Sequence, residues 1–591
     1  MAGQAGNQAI GQSGSLVTGI PDCPIAKLSN CQSAQLPSCL IAGLPLGRAM
    51  PTLKIDGLEI TVSANTSILE AAKSVGIEIP HYCYHPGLSV VGQCRMCQVE
   101  VEKMPKLAIA CNTPVADGMV VSTRSPKVEK ARRAVLEFYL LNHPLDCPIC
   151  DKGGECPLQD YTLKYGPGES RSVEEKVQRA KHQILGPHII FDAERCILCT
   201  RCVRFCCEIP KTGELGVFSR GDRSEISLFP GKALDNAYSG NVIDLCPVGA
   251  LTSRQYRFQS RPWDLVGHTE SICPLCSNGC NVILDVRHGQ RGEELLRIRP
   301  RENQAVNKWW MCDEGRFSFE YLHDPARLHV PMWREGDRPV EMAYDDLLLR
   351  LARAIRRIIE TAGSSAIGCI ASSRLTNEEL FLVRRFFRDL VDTPHLDYRV
   401  RSLQSEESDA SEDTILRRTD KTANTRGARD LAILPGRGGS DVAGMLRAAA
   451  DGSLKALFVF EEDLVREFPD RPVREALGRL DLFVVSSMYA TETTALAHAI
   501  LPALGFAEKE GGFTNFQGRV QKIHRALSPQ LASRGLPEVL RDLAKDMGRD
   551  LGEIDPERVW AVIGETPGPY QGIAWKDIGP FGLLPEGQSG S

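Results

Sequence analysis

Within the fourteen residues from His143 to Cys156 the chain presents one imidazole and three thiols in the pattern H-x3-C-x2-C-x5-C. Pro144 and Pro148 bar a continuing helix, so the backbone must loop, and four ligand-type side chains on one loop make a metal cage. Three more groups surround it. Cys83, Cys94, Cys97 and Cys111 are spaced C-x10-C-x2-C-x13-C; Cys196, Cys199 and Cys202 form C-x2-C-x2-C with Cys246 as remote fourth; Cys273, Cys276 and Cys280 form C-x2-C-x3-C, closed by Cys312. These groups hold 15 of the 21 cysteines. In a chain of 591 residues, such spacing describes metal sites rather than the disulfide framework of a small secreted domain.

The C-x2-C-x2-C run is the bacterial-ferredoxin pattern for three corners of a four-iron cubane. Cys83, Cys94, Cys97 and Cys111 can give a two-iron cluster two thiolates per iron, on a loop where Gly87 and Gly92 let N–H groups turn toward sulfur. Taken singly, the first group also fits a zinc knuckle and the last also fits zinc. Four cages on one chain favour iron–sulfur clusters. Cys206 stands where a two-cluster ferredoxin keeps a ligand for its second cluster, but no second triplet accompanies Cys246. Cys206 and Cys207 are therefore read as buried thiols.

Around these groups the pattern predicts a multidomain chain of α+β and α/β units. Residues 1–49 read as a disordered leader, with Cys23, Cys31 and Cys39 not taken as ligands. From Met50, apolar–polar alternation around Asp56-Gly57 predicts a β-hairpin, and Ser67 with Glu70 predicts a capping box ahead of a short helix. Hairpin then helix opens a β-grasp domain over 50–127. Lys127 to Asn142 predicts a helix leading into the His143 cage, within a domain over 128–185. A ferredoxin-like domain over 186–262 and a four-cysteine domain over 263–325 follow. Beyond these, 326–547 alternates strand-like runs (367–371, 430–434, 456–460, 482–485) with helical stretches (342–361, 377–391), which predicts a parallel sheet. Residues 401–429 read as an exposed loop, 436–440 as a plain glycine turn, and 548–591 as an irregular tail without a packed core.

Net charge is −5 and no half of the chain is a basic arm, so nothing argues for a nucleic-acid partner. The longest apolar runs are strand-sized, so any membrane role passes through a partner. No P-loop, dinucleotide fingerprint or nucleophile–base pair is present, and no catalytic residue is assigned. Cubanes held by four protein ligands have no open iron and carry electrons.

The order of these motifs, with Asp151-Lys152-Gly153-Gly154-Glu155-Cys156-Pro157-Leu158-Gln159 and Gly240-Asn241-Val242-Ile243-Asp244-Leu245-Cys246-Pro247, resembles the large iron–sulfur subunit family of the NADH:quinone oxidoreductases of respiratory complex I, the NuoG family. The resemblance covers roughly 50–325. It implies one [2Fe–2S] cluster on Cys83, Cys94, Cys97 and Cys111. It implies [4Fe–4S] clusters on His143, Cys147, Cys150 and Cys156; on Cys196, Cys199, Cys202 and Cys246; and, as in some bacterial members, on Cys273, Cys276, Cys280 and Cys312. It further implies electrons arriving from a flavin subunit that oxidises NADH and leaving through a ferredoxin-like iron–sulfur subunit toward quinone. The place implied is the peripheral arm, on the cytoplasmic side of a bacterial inner membrane. Ser373-Arg374-Leu375-Thr376-Asn377-Glu378-Glu379 and Phe506 to Asn515 are similar to motifs of the molybdopterin-oxidoreductase fold. That region is short and shows no cysteine at a molybdenum-ligand position, so a reduced, structural domain without molybdenum cofactor is expected. Two other readings compete: an iron–sulfur subunit of a soluble NAD-linked formate dehydrogenase or hydrogenase, and a zinc-stapled scaffold without redox role.

Overall fold

The computed structural model describes residues 50–289, 292–336, 338–400, 412–469, 472–531 and 533–585. The leader expected over 1–49, with Cys23, Cys31 and Cys39, lies outside the described residues.

The N-terminal unit is a β-grasp. Strands Thr52–Ile55 and Leu58–Thr61 form the hairpin, with Asp56 and Gly57 both in the left-handed region that so tight a turn demands. Strand Val120–Ser122 pairs parallel to the first, and Gln98–Val101 then Ala108–Ile109 complete a five-stranded sheet. Helix Ile68–Ser74 packs Leu69, Ala71 and Ala72 into this sheet's core. Its capping is half of what the sequence suggests. Ser67 Oγ accepts from Glu70 N–H, but the Glu70 carboxylate accepts from the Tyr84 hydroxyl at 2.7 Å. A tertiary partner has claimed the return half of the box.

Helix Pro126–Asn142 starts on a Ser125 cap with proline in its first turn, and ends at His143 in extended backbone before Pro144. A short helix, Pro157–Tyr165, leaves the last thiol of that cage. The ferredoxin-like part is built from Ile189–Phe191 and Leu251–Ser253, paired antiparallel, and helix Arg201–Glu208. An antiparallel sheet of Leu265–Ile272, Asn281–Gly289 and Gly292–Pro300 carries the fourth group of cysteines.

The C-terminal unit is a seven-stranded sheet. His395–Arg399, Ile367–Ser372, Ala456–Phe460, Leu482–Ser487 and Ala499–Pro502 run parallel, edged by the antiparallel hairpin Met332–Glu335 and Arg338–Glu341. Helices Tyr344–Ala362 and Asn377–Arg384 pack against it, as the alternating pattern predicts. Gly436 to Ser440 forms a turn closed by Gly439 N–H to the Gly436 carbonyl.

Four local expectations are corrected. Residues 430–434 are not a strand: helix Thr425–Asp430 runs into a turn that buries Ile433, and a short apolar run does not distinguish these outcomes. The described part of 401–429 is not an exposed loop. Leu416, Thr422, Asn424 and Ala428 are buried, because Asp413 and Asp420 satisfy neighbouring backbone N–H groups and hide burial behind a polar sequence. The region after 548 is packed. Asp555 caps helix Pro556–Glu565, which buries Val559, Trp560 and Ile563 as one stripe, and the Trp560 indole donates to the Ile573 carbonyl at 3.0 Å. Glycine and proline there mark the ends of a helix rather than the lack of one. Of the two cysteines read as buried thiols, Cys206 is a fully buried free thiol, whereas Cys207 is half-buried and disulfide-bonded.

Candidate metal centres

Within the first group the thiols fall into pairs. Cys83 hydrogen-bonds Cys94, and Cys97 hydrogen-bonds Cys111. The bond from Cys83 holds the Cys94 pKa down to about 5, while Cys83 is driven up; Cys111 likewise lowers Cys97. Two pairs of thiols, each converging, are what two irons with two thiolates apiece require. The loop winds through left-handed backbone at Gly92 (φ +59°) and Arg95 (φ +56°). Gly87 serves differently: a Cβ there would run into the rings of Trp309 and Trp310, so its role is close approach.

His143, Cys147, Cys150 and Cys156 line one opening of about 230 Å³ together with Leu158 and Leu163. Burial lowers the His143 pKa to about 4, with the Arg195 charge adding to the effect and Asp146 opposing it. The imidazole is thus neutral near pH 7 and keeps a lone pair for a metal. Asp146 lies inside the cage sequence, where it pairs with Arg195 (2.7 Å) and Lys181 (2.9 Å).

Cys196, Cys199, Cys202 and Cys246 face one another; burial raises Cys196 to about 12 and Cys199 to about 11, and each thiolate would further raise its neighbours. The loop is held by two non-glycine residues in left-handed backbone, Leu198 (φ +55°) and Thr200 (φ +59°). Leu198 N–H then points to Cys196 Sγ at 3.4 Å. Cys273, Cys276, Cys280 and Cys312 line a fourth cage, roofed by Leu416, Arg417 and Lys421 from the buried segment that follows residue 412. Asn278 donates to Cys280 Sγ (3.1 Å) and Gly315 N–H to Cys312 Sγ (3.4 Å).

Where burial raises the thiols, as at Cys156, Cys196, Cys199, Cys202, Cys273, Cys276, Cys280 and Cys312, thiolates form with compensating positive charge, which bound iron supplies. Among the described residues no three His, Cys, Asp or Glu side chains converge on a single ion.

The cages also touch. Gly249, three residues after Cys246, lies so close to Cys150 that a Cβ would overlap its Sγ, and Cys156 Sγ sits 3.8 Å from the Pro247 carbonyl. Arg204 donates to the carbonyls of both Cys83 (2.6 Å) and Cys199 (3.4 Å). Asp313, beside Cys312, accepts from Gly240 N–H (2.7 Å) and Ser239 Oγ (2.5 Å) ahead of Cys246. Cysteines of all four groups belong to one continuous core. None of these bridging residues is signalled by cysteine spacing; only the glycine and the arginines near the triplet hint at them.

Loops of this kind on β-grasp and ferredoxin-like units define an iron–sulfur protein with several centres. Family models match in series: a 2Fe-2S iron-sulfur cluster binding domain (48–126), the NADH-ubiquinone oxidoreductase-G iron-sulfur binding region (132–171) and the ferredoxin-like domain of NADH-quinone oxidoreductase subunit 3 (186–252). The NDSU1/NuoG-like 4Fe-4S domain (266–320) and molybdopterin oxidoreductase (419–546) follow. The chain is 42% identical to the NADH-quinone oxidoreductase G subunit of Rickettsia felis over 58% of its own length and 49% of the relative's. It is 46% identical to the mitochondrial NADH-ubiquinone oxidoreductase 78 kDa subunit of Neurospora crassa, over 52% and 40%. With a second type of G subunit, from Rhizobium meliloti, the identity is 28%, over 90% and 84%. The chain is similar, domain by domain, to NADH-quinone oxidoreductase G subunits. Its match spans about half the length of the first of these relatives.

Proposed function

We propose that this chain is the electron-relay iron–sulfur subunit of an NADH:quinone oxidoreductase. It takes electrons from a flavin-bearing, NADH-oxidising subunit and delivers them through a ferredoxin-like subunit toward quinone. The observation that carries the proposal is the contact between cages: three of the four are joined by single residues, Arg204 and Gly249, inside one core. Separate zinc staples would have no reason to touch.

The residues assigned are Cys83, Cys94, Cys97 and Cys111 to one [2Fe–2S] cluster. His143, Cys147, Cys150 and Cys156; Cys196, Cys199, Cys202 and Cys246; and Cys273, Cys276, Cys280 and Cys312 each take one [4Fe–4S] cluster. When bound, such clusters supply one-electron carriage without bonds being made or broken. The chain contributes fixed ligands, N–H donors at sulfur and a water-poor core. No side chain is assigned a catalytic role. The C-terminal sheet is assigned a structural role without molybdenum cofactor, in keeping with its single cysteine after 325, Cys369, being buried in a central strand.

No described helix is long and apolar enough to cross a membrane, which suits a peripheral subunit of the complex. Leu163, which lines the His143 opening, and Leu145 and Ile149 of the His143 loop are exposed, apolar surface that suits docking of the ferredoxin-like partner. The test is NADH addition to the native complex with paramagnetic resonance readout. The expected result is reduction of this chain's centres by NADH and reoxidation by added quinone. Centres that respond to dithionite but never to NADH would overturn the proposal.

A further inference from the structure

We propose that Arg204, with Arg201 beside it, is the fixed counter-cation shared by the [2Fe–2S] centre and the Cys196–Cys246 centre, and that it raises the reduction potential of both. The proposal rests on the cluster assignment above. Arg204 is fully buried. Its guanidinium donates only to backbone carbonyls, those of Cys83, Cys199 and Ser89. Arg201 likewise donates to the carbonyls of Tyr84 and Leu245 (the latter at 3.2 Å). Among the described residues neither forms an ion pair, and the Nε of each is buried without a partner.

Four other buried or half-buried arginines around these cages differ. Arg195 meets Asp146, Arg297 meets Glu155 and Asp285, Arg316 meets Asp244, and Arg327 meets Glu508. Arg132, fully buried at the edge of the first set alone, resembles Arg204: among the described residues it has no ion pair and donates to the Gln98 carbonyl at 3.2 Å. Burying a cation is costly unless a negative group compensates it. Glu208, one turn further along the same helix, is bound to the N–H and hydroxyl of Ser89. What remains beside Arg201 and Arg204 is the two sets of thiolates: Cys83 and Cys199 through their own carbonyls, and Cys246 next to Leu245.

A cysteinyl iron–sulfur centre is anionic, and one added electron makes it one charge more negative with no bond formed or broken. A fixed positive charge in low dielectric therefore favours the reduced form. Because one guanidinium bonds ligand residues of both sets, its charge acts on both at once. The sets of His143 and of Cys273 lack this contact and serve as internal controls.

The test compares Arg204→Met with Arg204→Lys in the iron-loaded full chain, by redox titration with paramagnetic resonance and by iron content. Loss of charge in Arg204→Met is expected to lower both midpoints, each by a tenfold or larger change in the reduced-to-oxidised ratio, which is ~59 mV for a one-electron couple. Arg204→Lys keeps the charge but not the two-carbonyl bridge, and should stay near the parent. Selective loss of iron from these two sets in the Met variant alone also supports the charge. Equal shifts or equal iron loss in both variants would assign Arg204 to bridging alone and overturn the proposal. So would unmoved midpoints in Arg204→Met. A parent chain that binds no iron would instead refute the cluster assignment itself.

Discussion

Gly249→Ala is expected to empty the His143 cage while leaving the other three filled. Gly249 follows Cys246 by three residues, and its Cα faces Cys150 with no room between them. A methyl group there overlaps Cys150 Sγ and also reaches the Lys152 Cβ (3.4 Å) and Arg195 Cδ (3.6 Å). Relief by moving the backbone is resisted on both sides. Arg195 is pinned by Asp146 at 2.7 Å and by Asp192 at 3.3 Å, and Val248 is buried. Overpacking of this kind costs about 1–3 kcal/mol in an ordinary core. Here the displaced atom is a proposed ligand, and metal–ligand distances tolerate only ~0.2 Å. Iron analysis of the variant should fall by about 4 atoms per chain, from the cluster types assigned. Resonance signals of the other centres should persist. Full iron content in Gly249→Ala would show that Cys150 does not ligate where the glycine presses on it.

Asp285→Ala is expected to be the most destabilising single change in the sheet that carries the fourth cage. Asp285 is fully buried in strand Asn281–Gly289 and accepts from Arg297 (2.5 Å), Arg299 (2.6 and 2.9 Å) and His268 (2.7 Å). Arg297 reaches on to both oxygens of Glu155, the residue before Cys156 (2.9 and 2.8 Å). This one carboxylate thus ties the three-stranded sheet to the His143 loop. Its removal leaves two guanidinium groups short of their buried counter-charge, a change that costs about 3–5 kcal/mol.

Burial pushes the Asp285 pKa up, but Arg299, Arg297 and His268 more than offset this and hold it below the ordinary value. A depressed carboxyl pKa stabilises the fold above the unfolded pKa of ~3.9, and that stability is lost as pH falls through the lower folded value. The gap in thermal unfolding between Asp285→Ala and parent should therefore be full near pH 7 and close only in strong acid. A gap of under about 1 kcal/mol at neutral pH would be the size of a surface pair and would contradict the buried-hub reading.

Local chemistry was the legible part of this chain. C-x2-C spacing, proline breaks and the Asp56-Gly57 turn each act within a few residues, so they point to the cages and the β-grasp opening without any knowledge of the fold. The parallel sheet could be read because Ala456–Phe460 and Ile367–Ser372 are apolar on both faces, as buried parallel strands are. What escaped was tertiary. Asp413 looks like a surface acid until it accepts from the Tyr238 hydroxyl at 2.7 Å. Trp560, Tyr570 and Trp575 are scattered aromatics in a glycine- and proline-rich stretch until they pack together and Ile573 accepts the Trp560 indole N–H. Gly249 and Arg204 acquire meaning only when segments far apart in the chain meet. The order of cages in space differs from that in sequence for the same reason, since Arg204 and Gly249 both put the Cys196 cage between its neighbours.

We propose that these sixteen side chains hold iron–sulfur clusters. Metal and acid-labile sulfide analysis of the anaerobically purified full chain is expected to give about 14 iron atoms per chain with matching sulfide and negligible zinc. Stoichiometric zinc without iron, about one ion per cage, would contradict it.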